Sequence, residues 1–234
     1  MKKPNAPDEP RLGLLQAEPG PLELDLARTA VMVIDMQNGY ASPGGLFDRR
    51  RFDLSQVPAV TAAIQKLTGA ARASGNKVIY VVTTHPADLA DSGGEDSAAW
   101  HKDAALTLER EHPEWRDTFT IRGTWGAEVI DALKPQAGDI VFEKMRYSAF
   151  FQTNLDTVLK TYRIKYLLFA GVATNICVEA TIRDAYYLGY FPILVTEATG
   201  SLGAEFLKQA TMHNVKTCYG WLTSTGNAIR ALKI

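Results

Sequence analysis

TAVMVID, residues 29–35, is a nearly unbroken apolar run that ends on an aspartate. With no polar residues alternating along it, such a run suits a strand buried on both faces, as in a parallel sheet. Four further segments repeat the pattern: KVIYVVTT (77–84), GDIVFEK (138–144), IKYLLFAGV (164–172) and FPILVTEA (191–198). Between them lie stretches whose apolar residues recur three and four apart. VPAVTAAIQKLTGAARASG (57–75) is the clearest, with a glycine just past its last periodic residue. NLDTVLKTY, NICVEATIRDAYYLG and AEFLKQATMH are helical in the same way, and NVKTCYGW (214–221) reads as a closing strand. This alternation predicts a single doubly wound, three-layer α/β/α domain over residues 29–234, with a mostly parallel sheet and right-handed crossovers. Residues 1–28, rich in Pro, Glu and Leu and without a period, read as an N-terminal tail or surface strap. Residues 85–137 form a long polar insertion, which in a compact domain is more often a functional lid than filler.

The 234 residues are 46% hydrophobic and 22% charged, with a net charge of −1. That is an ordinary globular composition. It lacks the field that would favour nucleic acid or an anionic membrane. MKKPNAPDEPRLG has no apolar run behind its two lysines, which argues against a secretory signal. No stretch approaches the roughly 20 apolar residues of a membrane span. Two cysteines supply neither a disulfide framework nor a four-ligand zinc site. The expectation is a cytoplasmic protein that meets a small molecule rather than nucleic acid or membrane, assembled as a homo-oligomer (dimer or tetramer).

In an open parallel sheet, ligands sit beyond the carboxyl ends of the strands. Three reactive side chains fall at such ends: Asp35 after the first strand, Lys144 closing GDIVFEK, and Cys177 just past IKYLLFAGV as the next helix begins. A helix N-terminus and a nearby ammonium both favour a thiolate. A carboxylate beside them can take the thiol proton and return it to a leaving amine. Each residue also has a plainer reading: a small core cysteine, a loop-capping aspartate, a solvated lysine. Cys218, inside the apparent closing strand, keeps the core reading.

VIDMQNGY (33–40), FEKMRYSAFFQTNLD (142–156) and GVATNICVEATIRDAYYLGY (171–190) resemble the cysteine hydrolases of the isochorismatase-like superfamily, in order and from about residue 28 onward. Within it, SPGG, KMRYSAFF, ATNICVEATIRD and YGW resemble the branch that acts on ureidoacrylate, in pyrimidine or nitrogen catabolism. The resemblance implies an amidohydrolase that cleaves a ureido or amide C–N bond through a covalent thioenzyme. Asp35 would be the general base, Lys144 the stabilising cation and Cys177 the nucleophile. It also implies a cis peptide at Val172–Ala173 and an oxyanion hole made by the N–H groups of Ala173 and Cys177. No cofactor is required.

Candidate substrate contacts are Arg146, Tyr147, Val172, Gln37, Tyr40 and His85. Arg146 is either the partner of a substrate carboxylate or a solvated arginine, and Tyr147 either a pocket wall or core. Nicotinamidases share the scaffold and add a metal site built on an Asp-x-His pair. Here Thr83 stands where that aspartate would be, so no metal is expected, and His85 and His101 are pocket or plain surface histidines. VVTTHPADLADSGGEDS departs from the ureidoacrylate branch, which leaves biuret, triuret and N-carbamoyl amino acids as alternative substrates. Cys177 argues against a vinyl-ether hydrolase. A non-catalytic binding member would have no need of all three reactive residues.

Overall fold

The computed structural model describes residues 10–201 and 203–233. Six strands form one sheet in which every neighbouring pair is parallel. They are β3 (Thr29–Ile34), β4 (Lys77–Thr83), β5 (Ile140–Lys144), β6 (Tyr166–Val172), β7 (Phe191–Gly200) and β8 (Trp221–Thr223), in the order β5-β4-β3-β6-β7-β8. β1 (Leu12–Leu15) and β2 (Leu22–Asp25) make a separate antiparallel pair.

The apolar run that opened the reading is the middle of this sheet. All six residues of β3 are buried. Successive side chains of a strand point to opposite faces. Val31 and Val33 accordingly enter one core, while Ala30, Met32 and Ile34 enter the other. The first core is covered by α1 (Val57–Ala73), whose Val60, Ile64, Leu67 and Ala71 return at helical spacing, with Gly75 in the left-handed region just past its end. The insertion contributes a short helix, α2 (Ala104–Glu111). α3 (Leu155–Thr161) and α4 (Glu179–Tyr187) cover the opposite face. α5 (Glu205–Asn214) follows β7, and α6 (Thr225–Leu232) packs beside α1. Helices on both faces of a parallel sheet make the three-layer α/β/α architecture.

Strand order reverses between β3 and β6. The chain leaves β3 toward β4 on one side and leaves β6 toward β7 on the other. A crevice opens at the carboxyl ends of two such strands. The two strands approach closely there. A Cβ on Gly171, at φ +116°, would lie 2.0 Å from the Ile34 carbonyl oxygen.

Two segments differ from expectation. In NVKTCYGW, residues 215–219 continue α5 as a wide helical turn, and only Trp221–Thr223 form a strand. Val215 alone of that turn is buried, and Cys218 is exposed rather than in the core. The β-branched residues suggested a strand, but one buried contact every turn is all this surface offers. Of the tail or strap expected over 1–28, residues 1–9 lie outside the described residues. Residues 10–28 are pinned down: Leu15, Leu24 and Leu26 are buried, and Glu18 exchanges two backbone hydrogen bonds (2.8 and 3.0 Å) with Leu222 on the outer side of β8. At the opposite edge of the sheet, β5 exposes Val141 and carries Glu143, paired with Arg122. Among the described residues no helix is long and apolar enough to cross a membrane.

Gly171→Ala should lower stability by about 3 kcal/mol, from overpacking at an unfavourable φ. A thermal melt should show a fall of roughly 6–12 °C for a chain of this size. An unchanged melt would mean the β3–β6 contact is looser than described.

Candidate active site

Asp35 follows β3 in the left-handed region (φ +52°), a conformation that aspartate tolerates better than most residues. Its N–H is held by the Val81 carbonyl (2.8 Å), and the side chain is turned inward and buried. Lys144 ends β5, in register with Thr83 at the end of β4. The Lys144 ammonium lies 2.8 Å from Asp35 Oδ2, and both side chains are buried. It also donates to Thr83 Oγ1 (2.5 Å), and that hydroxyl donates to Asp35 Oδ1 (3.0 Å). Thr83, noted in the sequence only as a missing aspartate, thus links the two charges. Oδ2 has the ammonium beside it but no well-angled hydrogen bond, so it keeps a lone pair free.

Beyond β6 the Val172–Ala173 peptide is cis, and a wide helical turn, Thr174–Val178, leads into α4. The Ala173 carbonyl collects the N–H groups of Ile176 (3.1 Å) and Val178 (3.2 Å) and skips that of Cys177 between them. Cys177 is half-buried in this turn and lines the same pocket as Asp35.

Burial pushes the Cys177 thiol well above the ordinary range. Lys144 opposes this and is outweighed, and the Asp35 charge raises it further. The helix N-terminus and the nearby lysine therefore do not offset the burial of the thiol. The turn is wide and sits in an apolar pocket, and the lysine's charge is largely spent on Asp35. Burial would lower the Lys144 ammonium, but Asp35 reverses the sign and holds it above its usual value.

Asp35 and Cys177 line a small pocket, about 80 Å³, with largely apolar walls, and Lys144 lies behind Asp35. Of the candidate substrate contacts, Tyr40, Tyr147 and Val172 line it, as does Ala173. The phenol of Tyr147 is pushed up to about 12, chiefly by burial, so it remains a hydrogen-bond donor.

The other three do not line it. Gln37 is fully buried and used up: Nε2 donates to the carbonyls of Thr83 and Ala127 (2.8 Å each), and Oε1 accepts from the Thr83 N–H (2.8 Å). It braces the end of β4 against the insertion. His85 is buried with Nδ1 on Asp91 (2.9 Å). Arg146 turns back to the carbonyls of Met145 (2.7 Å) and Asp91 (2.6 Å). Residues 145–150 leave the strand as a bend, so the two-residue alternation that would put Arg146 beside Lys144 does not apply there. His101 rests on the Glu95 carbonyl (2.8 Å), apart from His85.

The sequence reading passed over Phe47, Phe52, Ile176 and Asp103, all of which line the pocket. Asp103 carried a recognisable signal, an aspartate just before a helical stretch, because it caps α2. Nothing in the sequence indicated that this cap would face the thiol.

A doubly wound sheet with a carboxylate, an ammonium and a thiol gathered at its switch point defines a hydrolase of the α/β class. Residues 29–227 match the Isochorismatase domain, and the chain belongs to the isochorismatase family. It is 43% identical over 213 residues, 91% of its length and 93% of the relative's, to a protein from Agrobacterium fabrum named ureidoacrylate amidohydrolase RutB. Among solved structures, a cysteine hydrolase from Pseudomonas syringae pv. phaseolicola superposes with TM-score 0.73 at 27% identity, over 100% of this chain and 99% of that one. N-carbamoylsarcosine amidase from Thermoplasma acidophilum superposes with TM-score 0.62 at 26% identity, over 85% and 96%.

The raised thiol has a direct readout. Mass-mapped alkylation of the ligand-free enzyme by iodoacetamide should keep accelerating at Cys177 beyond the ordinary thiol range near 8.5. Exposed Cys218 should react first at neutral pH. A Cys177 rate already at its plateau at pH 7 would indicate a preformed thiolate.

Proposed function

We propose that this amidohydrolase opens the C–N bond of a ureido compound with Cys177 as nucleophile, Asp35 as general base and acid, and Lys144 as the cation paired with Asp35. The observation that carries the reading is the buried Asp35–Lys144 pair, with its free Oδ2, beside a neutral thiol. A high-pKa thiol needs a base at the moment of attack, and Asp35 is the group within reach.

Asp35 Oδ2 takes the thiol proton as sulfur bonds to the ureido carbon, and the carbonyl electron pair moves onto oxygen. The Ala173 and Cys177 N–H groups face that oxyanion. Collapse breaks the C–N bond, and the departing nitrogen receives the proton from Asp35. A carbamoyl thioester remains on Cys177. Water then gives a proton to Asp35 and adds to the carbonyl. The C–S bond breaks, and sulfur recovers the proton as carbamic acid leaves. No electrons are exchanged with a cofactor in either half.

The ureido group is common to ureidoacrylate, named for the Agrobacterium relative, and to the carbamoyl group of N-carbamoylsarcosine, named for the Thermoplasma enzyme. That shared group is what the reading carries over to this chain. The thioester step supports a substrate whose reacting end is small, matching the tight pocket floor.

Cys177→Ser should reduce turnover of ureido substrates by about 10³-fold or more. The melting temperature should stay within about 2 °C, because the exchange is nearly isosteric. With slow substrates the wild type should show a carbamoyl adduct on the Cys177 peptide by mass spectrometry. Substantial turnover by the serine variant would end the covalent reading.

A further inference from the structure

The pocket above Cys177 contains two carboxylates, Asp35 and Asp103, and no Lys, Arg or His lines it. Asp35 is paired with Lys144 at 2.8 Å, whereas Asp103 has no ion-pair partner among the described residues. Lys102, next to Asp103 in sequence, is exposed and does not line the pocket, and three arginines of the neighbouring segments are held by other groups. Arg146 lies on backbone carbonyls, Arg110 on the carbonyls of Leu106 and Trp100, and Arg116 beside Glu109.

Asp103 is itself buried. Its Oδ1 accepts from the N–H groups of Ala105 (2.9 Å) and Leu106 (3.3 Å), while Oδ2 accepts no hydrogen bond from any described residue. The N-terminus of α2 is the feature that would otherwise attract an anion, through its free N–H groups and dipole. Asp103 already occupies that place. Its charge also reaches Tyr40, Lys144, Cys177 and Tyr147, which puts it among the groups a substrate must meet.

We propose that Asp103 selects the far end of the substrate, with Oδ2 accepting from an amide or ammonium group there and excluding ureido compounds that end in a carboxylate. This rests on the ureido amidohydrolase reading and narrows it. A substrate carboxylate would sit beside a buried like charge with no cation to offset it, whereas an N–H donor would satisfy an acceptor that the fold leaves open. The apolar wall of Phe47, Phe52 and Ile176 accommodates a short carbon spacer between the two polar ends. The same chain thus departs from its relative's named substrate at the tail and not at the reacting group.

The test uses three compounds with one ureido end and different tails: ureidoacrylate, its primary amide, and aminopropylurea. kcat/KM is measured for the wild type, Asp103→Asn and Asp103→Ser. Asn and Ser cap helices as well as Asp, so α2 should survive in both, which a thermal melt checks. The wild type should favour the amide or amine tail over the carboxylate by at least about 10-fold. Both variants should reduce that preference to within about threefold, mainly through a lower KM for ureidoacrylate, with kcat moving less. Wild-type kcat/KM for ureidoacrylate equal to or above the others would overturn the proposal. So would equal losses on all three compounds in both variants, the signature of a structural role.

If the wild type turns over none of them, the ureido reading fails, and calorimetry with propylammonium, propanamide and propanoate decides the role of Asp103. Binding of the first two but not propanoate, lost in Asp103→Asn, supports the selection. Equal binding of propanoate refutes it.

Discussion

A single buried ammonium organises this molecule. Lys144 is removed from water at a cost of several kcal/mol, which is recovered only if an opposite charge and further acceptors meet it in good geometry. Asp35 and Thr83 do so, and with Lys144 they join the ends of three adjacent strands. The pair therefore fixes the register of β3, β4 and β5 at their carboxyl ends. It also explains why Asp35 sits in a left-handed conformation, which turns its carboxylate back toward β5. Loss of either partner would strand the other charge, typically a cost of about 3–5 kcal/mol.

The same pair sets the chemistry. An ammonium committed to a carboxylate has little charge to spare for sulfur, so burial outweighs it and raises the Cys177 thiol. In the proposed mechanism, proton transfer and attack are coupled through Asp35. Reactivity is assigned to the complex, not to the resting cysteine.

Much of this was legible from residues 29–35 outward. Uninterrupted apolar runs fix a parallel sheet because both faces must be covered, and the strand-end positions of Asp35, Lys144 and Cys177 follow from that topology. What the sequence hid depends on where a chain turns after a strand ends. Arg146 obeys strand alternation only while the strand lasts, and it had already stopped. Gln37 offers the same amide whether it meets a ligand or braces the Thr83 backbone. Asp103 announces a helix cap, but a cap's outward face is decided by how the insertion folds over the sheet. Cys218 lies in a β-branched stretch that a preceding helix absorbed.

The N-terminal segment has a consequence of a different kind. An open sheet ends in rows of unpaired N–H and C=O groups that invite strands from other molecules. β8 is only three residues long, and Glu18 already occupies the backbone groups of Leu222 on its free side. At the other end, Glu143 and Arg122 place paired charges along β5. The strap thus closes one border of the sheet without adding a strand that would present a new one, and charge guards the other. Resistance to edge-to-edge aggregation is built into a part of the chain remote from the chemistry.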